Sequence, residues 1–466
     1  TAYQTDKRIQ LLDQSPVQST NLVETSNCFM MKPGTNICFN PYKHEAKMNG
    51  YNVPLSGWNT HLTDGSTLAD NKKITDVKVV WQTKDDATSG DLVMGYAISG
   101  DDHSNLARIT DGGDLQKARI HVKVPVSKGG NALIAAYSGS KIVWSWHLWI
   151  TDYVPQGITS SVTYAQAQQM TQNGSVHQYA TTAFKSGGTH VGKVIMDRNL
   201  CATAGGFPGE NASLLEFARR IGYLYYWGRK DPFPSAPSLT GNEKTQPVPV
   251  YGPDGAEVKI TYSLWSSVEN NTIEYSIANP TKCLSNYAQY NTSRDWLKAS
   301  DSNDALWGNP KGGERNSDNN YVNKGSKSFY DPCPVGYRVP PADVFRTFTT
   351  TGGYTQDPSS FDVVDVNGDG VIDTRDYNYG WSFNMKEGSL FFPAAARYDG
   401  SYAMLMGSKS GLWGSYWGNS PAKSYGATTG FGFCVLAFMN EAAGTSVSAT
   451  ASAGRADAYS IRCVKE

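Results

Sequence analysis

The sequence DPCPVGYRVP, residues 331–340, indicates the fold class of this chain better than any other stretch. It combines three prolines, a cysteine and a glycine with Asp, Tyr and Arg, a mixture typical of loop-rich proteins held by buried polar pairs and a disulfide. Three segments of similar character accompany it: VIMDRNL at 194–200, YYWGRKDPFP at 225–234 and SIRCVKE at 460–466. None of them is a catalytic motif. Together they bracket the C-terminal part of the chain as one loop-rich unit.

In this order the segments resemble the secreted-surface domain named the Fibrobacter succinogenes major paralogous domain. That family opens on a strand ending in Asn-Leu, carries D-P-C-P-x-G-Y-R-V-P in its middle and closes on S-x-R-C-V. The resemblance covers residues 190–466 and implies a loop-rich α+β fold related to C-type lectins. It also implies a disulfide between Cys333 and Cys463. One departure is Cys201, which stands where the family usually has glycine.

The preceding region, residues 23–155, shows the period-two alternation of β-strands. In ARIHVKVPV (118–126) apolar residues alternate with charged or polar ones. KIVWSWHLWITDY (141–153) puts Trp144 and Trp146 on one face and Ser145 and His147 on the other. Several short strands separated by turn signals predict a β-sandwich.

Two polar stretches flank this sandwich. Residues 1–22 show little periodicity and predict a flexible N-terminal arm, and residues 156–189, rich in Gln, Ser and Thr, predict a linker. A helix is expected at 212–223, where Ser213 begins an apolar stripe, and a second one from Pro341. The predicted fold class is mainly β with some α: an N-terminal β-sandwich followed by a C-type-lectin-like domain.

Composition limits the class of partner. The 466 residues suggest two to three domains, and 41 Lys+Arg against 42 Asp+Glu give no charge excess that would favour nucleic acid. The chain contains 27 Tyr, 12 Trp, 16 Phe and 46 Gly, which is typical of β-rich secreted proteins. No apolar run is long enough for a transmembrane helix, so no such segment is expected.

Cys28 and Cys38 flank the turn sequence KPGT in NCFMMKPGTNIC. If the chain reverses there as one hairpin, the two cysteines face each other and could form a disulfide. The chain has seven cysteines, an odd number, so at least one thiol stays free. No pair has the spacing of a zinc site.

The stretch DVNGDGVIDTRD (365–376) carries the sharpest chemical signal, because it has oxygen ligands at alternating positions and Gly370 at position six. Its flanks favour strands rather than helices, so it predicts a calcium loop outside an EF-hand; the alternative is a cluster of Asx turns that binds nothing. The expected calcium ligands are Asp365, Asn367, Asp369, the carbonyl of Val371, Asp373 and Asp376.

Catalysis is not expected. All seven histidines lie in the first 190 residues, so the C-terminal part has no His for a triad, a general base or a metal site. No HExxH, GxSxG or phosphate-binding loop is present.

The Gly-rich stretch GLWGSYWGNS (411–420) offers aromatic faces of the kind that stack on sugars. Trp413, Tyr416 and Trp417 are therefore candidate ligand-binding residues, with Arg397 upstream. The alternative is that this stretch is a core strand of the fold.

The two halves together resemble the tip or accessory subunits of fimbriae from gut Bacteroidales. The resemblance implies a lipoprotein-exported, extracellular subunit on the cell surface, fimbrial or anchored to the outer membrane. It also implies that the β-sandwich at 23–155 is a pilin-like domain. We therefore expect an adhesin that binds an external glycan or a surface protein beside other pilus subunits. The alternatives are a purely structural pilus subunit and a carbohydrate-active enzyme with an unrecognised carboxylate site.

Overall fold

A computed structural model describes residues 15–46, 73–85, 90–98, 103–156, 178–180, 193–239, 247–260, 270–285, 294–298, 304–308, 325–342, 344–385, 388–402, 404–422, 431–441 and 444–466. The expected fold class, mainly β with some α, is confirmed. The predicted sandwich and lectin-like folds remain predictions.

Among the described residues, eight strands precede residue 190: β1 (Cys28–Met31), β2 (Asn36–Phe39), β3 (Asp76–Gln82), β4 (Ala107–Thr110), β5 (Arg119–Lys123), β6 (Gly130–Ser138), β7 (Lys141–Ile150) and β8 (Gln178–Ala180). The strands after residue 190 are β9 (Val194–Met196), β10 (Tyr223–Tyr226), β11 (Phe233–Pro234), β12 (Val250–Tyr251), β13 (Glu257–Val258), β14 (Tyr337–Arg338), β15 (Tyr354–Thr355), β16 (Gly380–Asn384), β17 (Ser389–Pro393), β18 (Tyr398–Asp399), β19 (Met404–Leu405), β20 (Trp413–Ala422), β21 (Phe431–Glu441), β22 (Gly444–Ser448), β23 (Ser452–Gly454), β24 (Ala458–Tyr459) and β25 (Val464–Lys465). The helices are α1 (Leu214–Ile221), α2 (Ile273–Ala278) and the single 3-10 turns Arg346–Phe348, Pro358–Ser360, Thr374–Asp376 and Gly407–Lys409.

Helix α1 confirms the expected helix: the Ser213 side chain caps it by accepting a hydrogen bond from the backbone N–H of Glu216. The helix expected from Pro341 is wrong. Only the 3-10 turn at 346–348 forms there, because Phe345 and Phe348 point into an aromatic cluster with Phe392.

The N-terminal strands form two sheets. The larger has the order β1-β7-β6-β3-β12-β13, with β1 parallel to β7, and the smaller has the order β2-β5-β4. Their facing side chains share one core, in which the Phe39 ring lies 4.3 Å from Phe29 and 5.2 Å from Trp146.

The expected Cys28–Cys38 disulfide is wrong. Strand β1 pairs with β7 in one sheet, whereas β2 pairs with β5 in the other, so the KPGT turn crosses between sheets instead of closing one hairpin. The thiols of Cys28 and Cys38 are both free and buried.

The C-terminal sheets are small: β11-β10-β24-β18-β19, β14-β25-β9-β8, β15-β22-β21-β20 with β23 beside β21, and the pair β16-β17. The expected disulfide is confirmed, since Cys333 and Cys463 are bonded with an S–S distance of 2.04 Å. It lies beside the antiparallel pairing of β14 with β25.

Buried polar groups connect the sequence segments that indicated the fold. The Asp331 carboxylate accepts hydrogen bonds from the backbone of Cys333 and Val339, which closes the DPCPVGYRV loop. The Arg462 guanidinium, from SIRCVKE, donates to Oδ1 of Asn199 in VIMDRNL at 2.7 and 3.0 Å. These contacts account for Asp331, Asn199 and Arg462 of those segments.

The regions predicted as separate domains share a sheet and a core. Strand β12 adds to the N-terminal sheet through the pairing of Tyr251 with Gln82, and Trp81 stacks on Tyr223 with ring centroids 5.6 Å apart. Strand β7 is buried on both faces from Val143 to Ile150. The face with Ser145 and His147 is thus covered by protein.

The described parts of the predicted arm and linker contact the rest of the fold. Val17 is buried and its backbone N–H donates to the carbonyl of Ser104, while residues 1–14 lie outside the described chain. In the predicted linker 156–189, residues 178–180 form β8 and pair with β9.

Candidate functional site

The loop 365–376 folds back onto its first carboxylate. Asp365 accepts hydrogen bonds from the backbone N–H groups of Gly368 and Gly370, each at 2.7 Å. Both glycines have positive φ, 71° and 82°, which other residues rarely adopt. The loop therefore has the tight turn that its glycine pattern predicts.

The end of the loop is closed by Asp376. Its carboxylate accepts from the backbone of Val366 at 2.8 Å and of Asp373 at 3.0 Å, and the side chain is buried. Ile372 packs against a hydrophobic core, which anchors the otherwise exposed loop. The following strand β16 confirms that the loop is not followed by an EF-hand helix.

The calcium-loop pattern of residues 365–376 assigns no role to Arg375. Its guanidinium lies 2.6 Å from the carboxylates of both Asp369 and Asp373. Hydrogen bonds from Arg375 lower the pKa of Asp373 below its usual value. A cation between Asp373 and Asp376 in the sequence is the signal that could have pointed to this pairing.

The loop has the ligand types and the ligand spacing that a calcium ion needs, but the Arg375 guanidinium competes with the ion for two of the carboxylates. Asp365, Asn367 and Asp369 stand at alternating positions, as oxygen ligands do in calcium loops. Arg375 neutralises two of the carboxylates in this structure. Among the described residues, no group of three or more His, Cys, Asp or Glu side chains converges as a metal site does.

The prediction that Tyr416 and Trp417 bind a ligand is wrong, because both are fully buried. The Tyr416 hydroxyl donates to the carbonyl of Pro393 at 2.7 Å, and the Trp417 indole donates to the carbonyl of Tyr225 at 2.7 Å. This part of the stretch is the core strand β20.

The other two predicted ligand residues, Trp413 and Arg397, lie together near the surface. The Arg397 guanidinium is 4.9 Å from the Trp413 ring centroid, and the Lys409 ammonium is 4.7 Å from it. Arg397 also pairs with Asp399 at 3.1 Å, and Lys409 pairs with Glu441. We call these five residues the Trp413 cluster.

A short hairpin formed by β18 and β19 follows Arg397 directly in the chain. Tyr398 pairs with Leu405 and Asp399 with Met404, and the tip exposes 67% of Tyr402. The Asp-Gly dipeptide in RYDGSYAML is a turn signal that could have identified it.

A cavity lies where the N-terminal sheet meets the C-terminal region, and its lining includes Asn131, Cys201, Arg219 and Tyr223. Its volume is about 30 Å³, enough for about one water molecule. It is too small for a sugar ring.

Burial lowers the pKa of three described histidines, His44, His121 and His147. Burial lowers the pKa of His44 and of His147 to about 3, so both imidazoles are neutral. His121 is also buried, and burial lowers its pKa as well.

Comparison with known proteins identifies no relative: no protein-family model, no curated protein and no solved structure matches this chain. Within the described residues, no helix is both long and apolar enough to cross a bilayer.

Proposed function

We propose that this protein is an adhesin of the bacterial cell surface, a fimbrial tip or accessory subunit that binds an external glycan or protein without catalysing a reaction. One observation carries the proposal. Of the tryptophans in the described part of the chain, all except Trp413 are buried. Flat aromatic faces beside charged groups suit sugar and protein ligands.

The binding surface is proposed to be the Trp413 cluster with the Tyr402 hairpin. Arg397, Lys409 and Asp399 supply donors and acceptors for hydroxyl or carboxylate groups of a ligand. Tyr402 adds an aromatic face that is already in solvent. Loops on a rigid scaffold are where binding residues concentrate.

The N-terminal sheet is a poor alternative for adhesion. Its tryptophans Trp81, Trp144, Trp146 and Trp149 are all buried, and strand β7 is covered on both faces. We assign this sheet the role of scaffold and of contact with other pilus subunits.

An extracellular location is supported by the Cys333–Cys463 disulfide, because disulfides persist in oxidising compartments. We propose that the protein reaches the cell surface as a lipoprotein or a fimbrial subunit.

Calcium is proposed as a structural cofactor. The ion would be held by Asp365, Asn367, Asp369, the Val371 carbonyl, Asp373 and Asp376. For this, Asp369 and Asp373 would have to release Arg375 and bind the ion instead. When bound, the ion would neutralise these carboxylates and stiffen the exposed loop. Its affinity is expected to be of the weak extracellular kind.

The test uses the whole chain, because the two regions share a core and a fragment would expose buried apolar surface. Binding to a glycan array and to mucins is measured for the unmodified protein, Trp413→Ala and Tyr402→Ala. The matched control is Tyr354→Ala, which removes another exposed tyrosine, 58% accessible and in β15.

We expect both variants to reduce binding by at least about tenfold, the size of a modest hot spot, while Tyr354→Ala binds as the unmodified protein does. Unmodified protein that binds no glycan or mucin but assembles with pilus subunits would instead support the structural alternative. Release of sugars from polysaccharides would support the enzyme alternative.

A further inference from the structure

Two free cysteines meet at one buried imidazole, although 173 positions separate them in the chain. Cys28 lies beside His147 in the parallel pairing of β1 with β7, and its Sγ is 3.3 Å from His147 Nδ1. Cys201 reaches the same nitrogen from the C-terminal region, with its Sγ at 3.8 Å. Because both sulfurs contact the same nitrogen, the distance between them is at most the sum of these two distances.

The hydrogen bonds of Asn131 determine which nitrogen of His147 carries the proton. Asn131 Nδ2 donates to the carbonyl of Cys201 at 3.0 Å, so its Oδ1 faces His147 Nε2, at 2.8 Å. An oxygen acceptor at Nε2 requires the proton there, which leaves Nδ1 with a free lone pair. Because burial lowers the pKa of His147 to about 3, this lone pair stays available as a base for the thiols.

The backbone holds Cys201 in an unusual way. Its φ is +75°, a left-handed conformation that favours glycine, yet the residue is a buried cysteine. Its Sγ also contacts the Tyr225 hydroxyl at 3.0 Å and the residue lines the 30 Å³ cavity. In this conformation the thiol lies against both His147 and Tyr225.

We infer that Cys28 and Cys201 are a disulfide-forming pair that can connect the N-terminal sheet to the C-terminal region covalently. A small disulfide oxidises them by exchange: Cys201 sulfur attacks it, forming a mixed disulfide and releasing one thiol. Cys28 sulfur then attacks the sulfur of Cys201 and breaks the mixed disulfide, while His147 Nδ1 takes the Cys28 proton and passes it to the leaving sulfur, which departs as the second thiol. The two cysteines lose two hydrogens and two electrons, and the reagent gains them as two thiols.

Burial makes this reaction slow in the folded protein. It raises the pKa of both thiols, so the thiolate is scarce, and the adjoining cavity admits little more than water. The pair is expected to oxidise during folding, or through local opening in the native state.

The test treats the protein with hydroxyethyl disulfide in two ways: in the native state, and during refolding from urea. Remaining thiols are alkylated, and the tryptic peptides are separated without reductant. We expect a peptide pair linked through Cys28 and Cys201 in addition to the Cys333–Cys463 pair. Cys28→Ser should abolish the new link and leave Cys201 alkylated or bonded to the reagent.

Cys283→Ser is the matched control, because Cys283 is also a buried free thiol but lies against Tyr226 rather than His147. It should leave the new link unchanged. His147→Gln keeps a donor toward Asn131 but removes the proton acceptor, which is a weak base at a pKa of about 3, and should slow linkage of the native protein by about tenfold. Recovery of Cys28 and Cys201 as separate alkylated peptides after both treatments would overturn the inference.

Discussion

The ammonium group of Lys327 lies 2.6 Å from Oε1 of Glu45, and the side chains are only 1% and 10% exposed. The same ammonium donates to the carbonyls of Cys333, Pro334 and Tyr337. Glu45 belongs to the N-terminal region and Lys327 to the approach to the DPCP segment. This ion pair therefore ties the two regions together next to the disulfide.

Lys327→Ala should lower the free energy of unfolding by about 3 to 5 kcal/mol, because it leaves Glu45 as an unpaired buried charge. The matched control is Lys141→Ala. It breaks a pair of similar length, 2.8 Å to Glu274, in which both side chains are 57% exposed, and it should cost less than about 1 kcal/mol. Urea unfolding measures both, and equal losses would contradict the assignment.

Removing the disulfide should cost on the order of 4 kcal/mol. Cys333 and Cys463 close a loop of 130 residues, and the bond stabilises the fold mainly by restricting the unfolded chain. The double variant Cys333→Ala, Cys463→Ala is compared with the unmodified protein in urea. Reductant should lower the stability of the unmodified protein and leave that of the double variant unchanged; a response in both would mean that the stabilising bond lies elsewhere.

Calcium at millimolar concentration should raise the melting temperature, because a ligand that binds only the folded state stabilises it. Asp365→Ala combined with Asp369→Ala should abolish the rise, whereas Asp357→Ala, which removes an exposed capping carboxylate outside the loop, should not. Arg375→Gln should tighten calcium binding, since it releases Asp369 and Asp373. If calorimetry on the unmodified protein detects no heat of binding at millimolar calcium, the loop does not bind the ion.

The carboxyl of Asp457 should make stability depend on pH. Burial, and then the nearby Asp399 carboxylate, raise the pKa of Asp457 from 3.8 to about 6. The folded protein thus holds this proton more tightly than the unfolded chain, so the stability it contributes is complete below about pH 4 and is lost as the pH rises to about 6.

Asp457→Asn should therefore flatten the stability profile between about pH 4 and pH 6. At neutral pH it should raise stability by about 1 kcal/mol, a modest value because solvent reaches part of the carboxyl. Thermal unfolding across this pH range measures the effect, with the exposed Glu257→Gln as a control. A profile for Asp457→Asn that is as steep as that of the unmodified protein would show that another group is responsible.

Two local sequence patterns predicted the structure correctly because the interaction that governs each of them is itself local. The Ser213 cap needs only the backbone N–H of Glu216, and the turn at Gly368 and Gly370 needs only the carboxylate of Asp365. The aromatic stretch at 411–420 was ambiguous for the opposite reason. Whether Trp413 or Trp417 reaches solvent depends on which residues from elsewhere cover the strand.

The amino-acid sequence by itself determined the mainly β composition, the α1 helix and the turn pattern of the 365–376 loop. Through its family resemblance it also predicted the Cys333–Cys463 bond. Only the tertiary structure decided that Cys28 and Cys201 contact the same His147 imidazole while Cys38 lies in the other sheet, and that Ser145 and His147 face protein rather than water. The physical reason is that alternation along a strand reports which face is apolar. A polar face can still be buried when distant residues supply its hydrogen bonds, and those partners are brought together only by the fold.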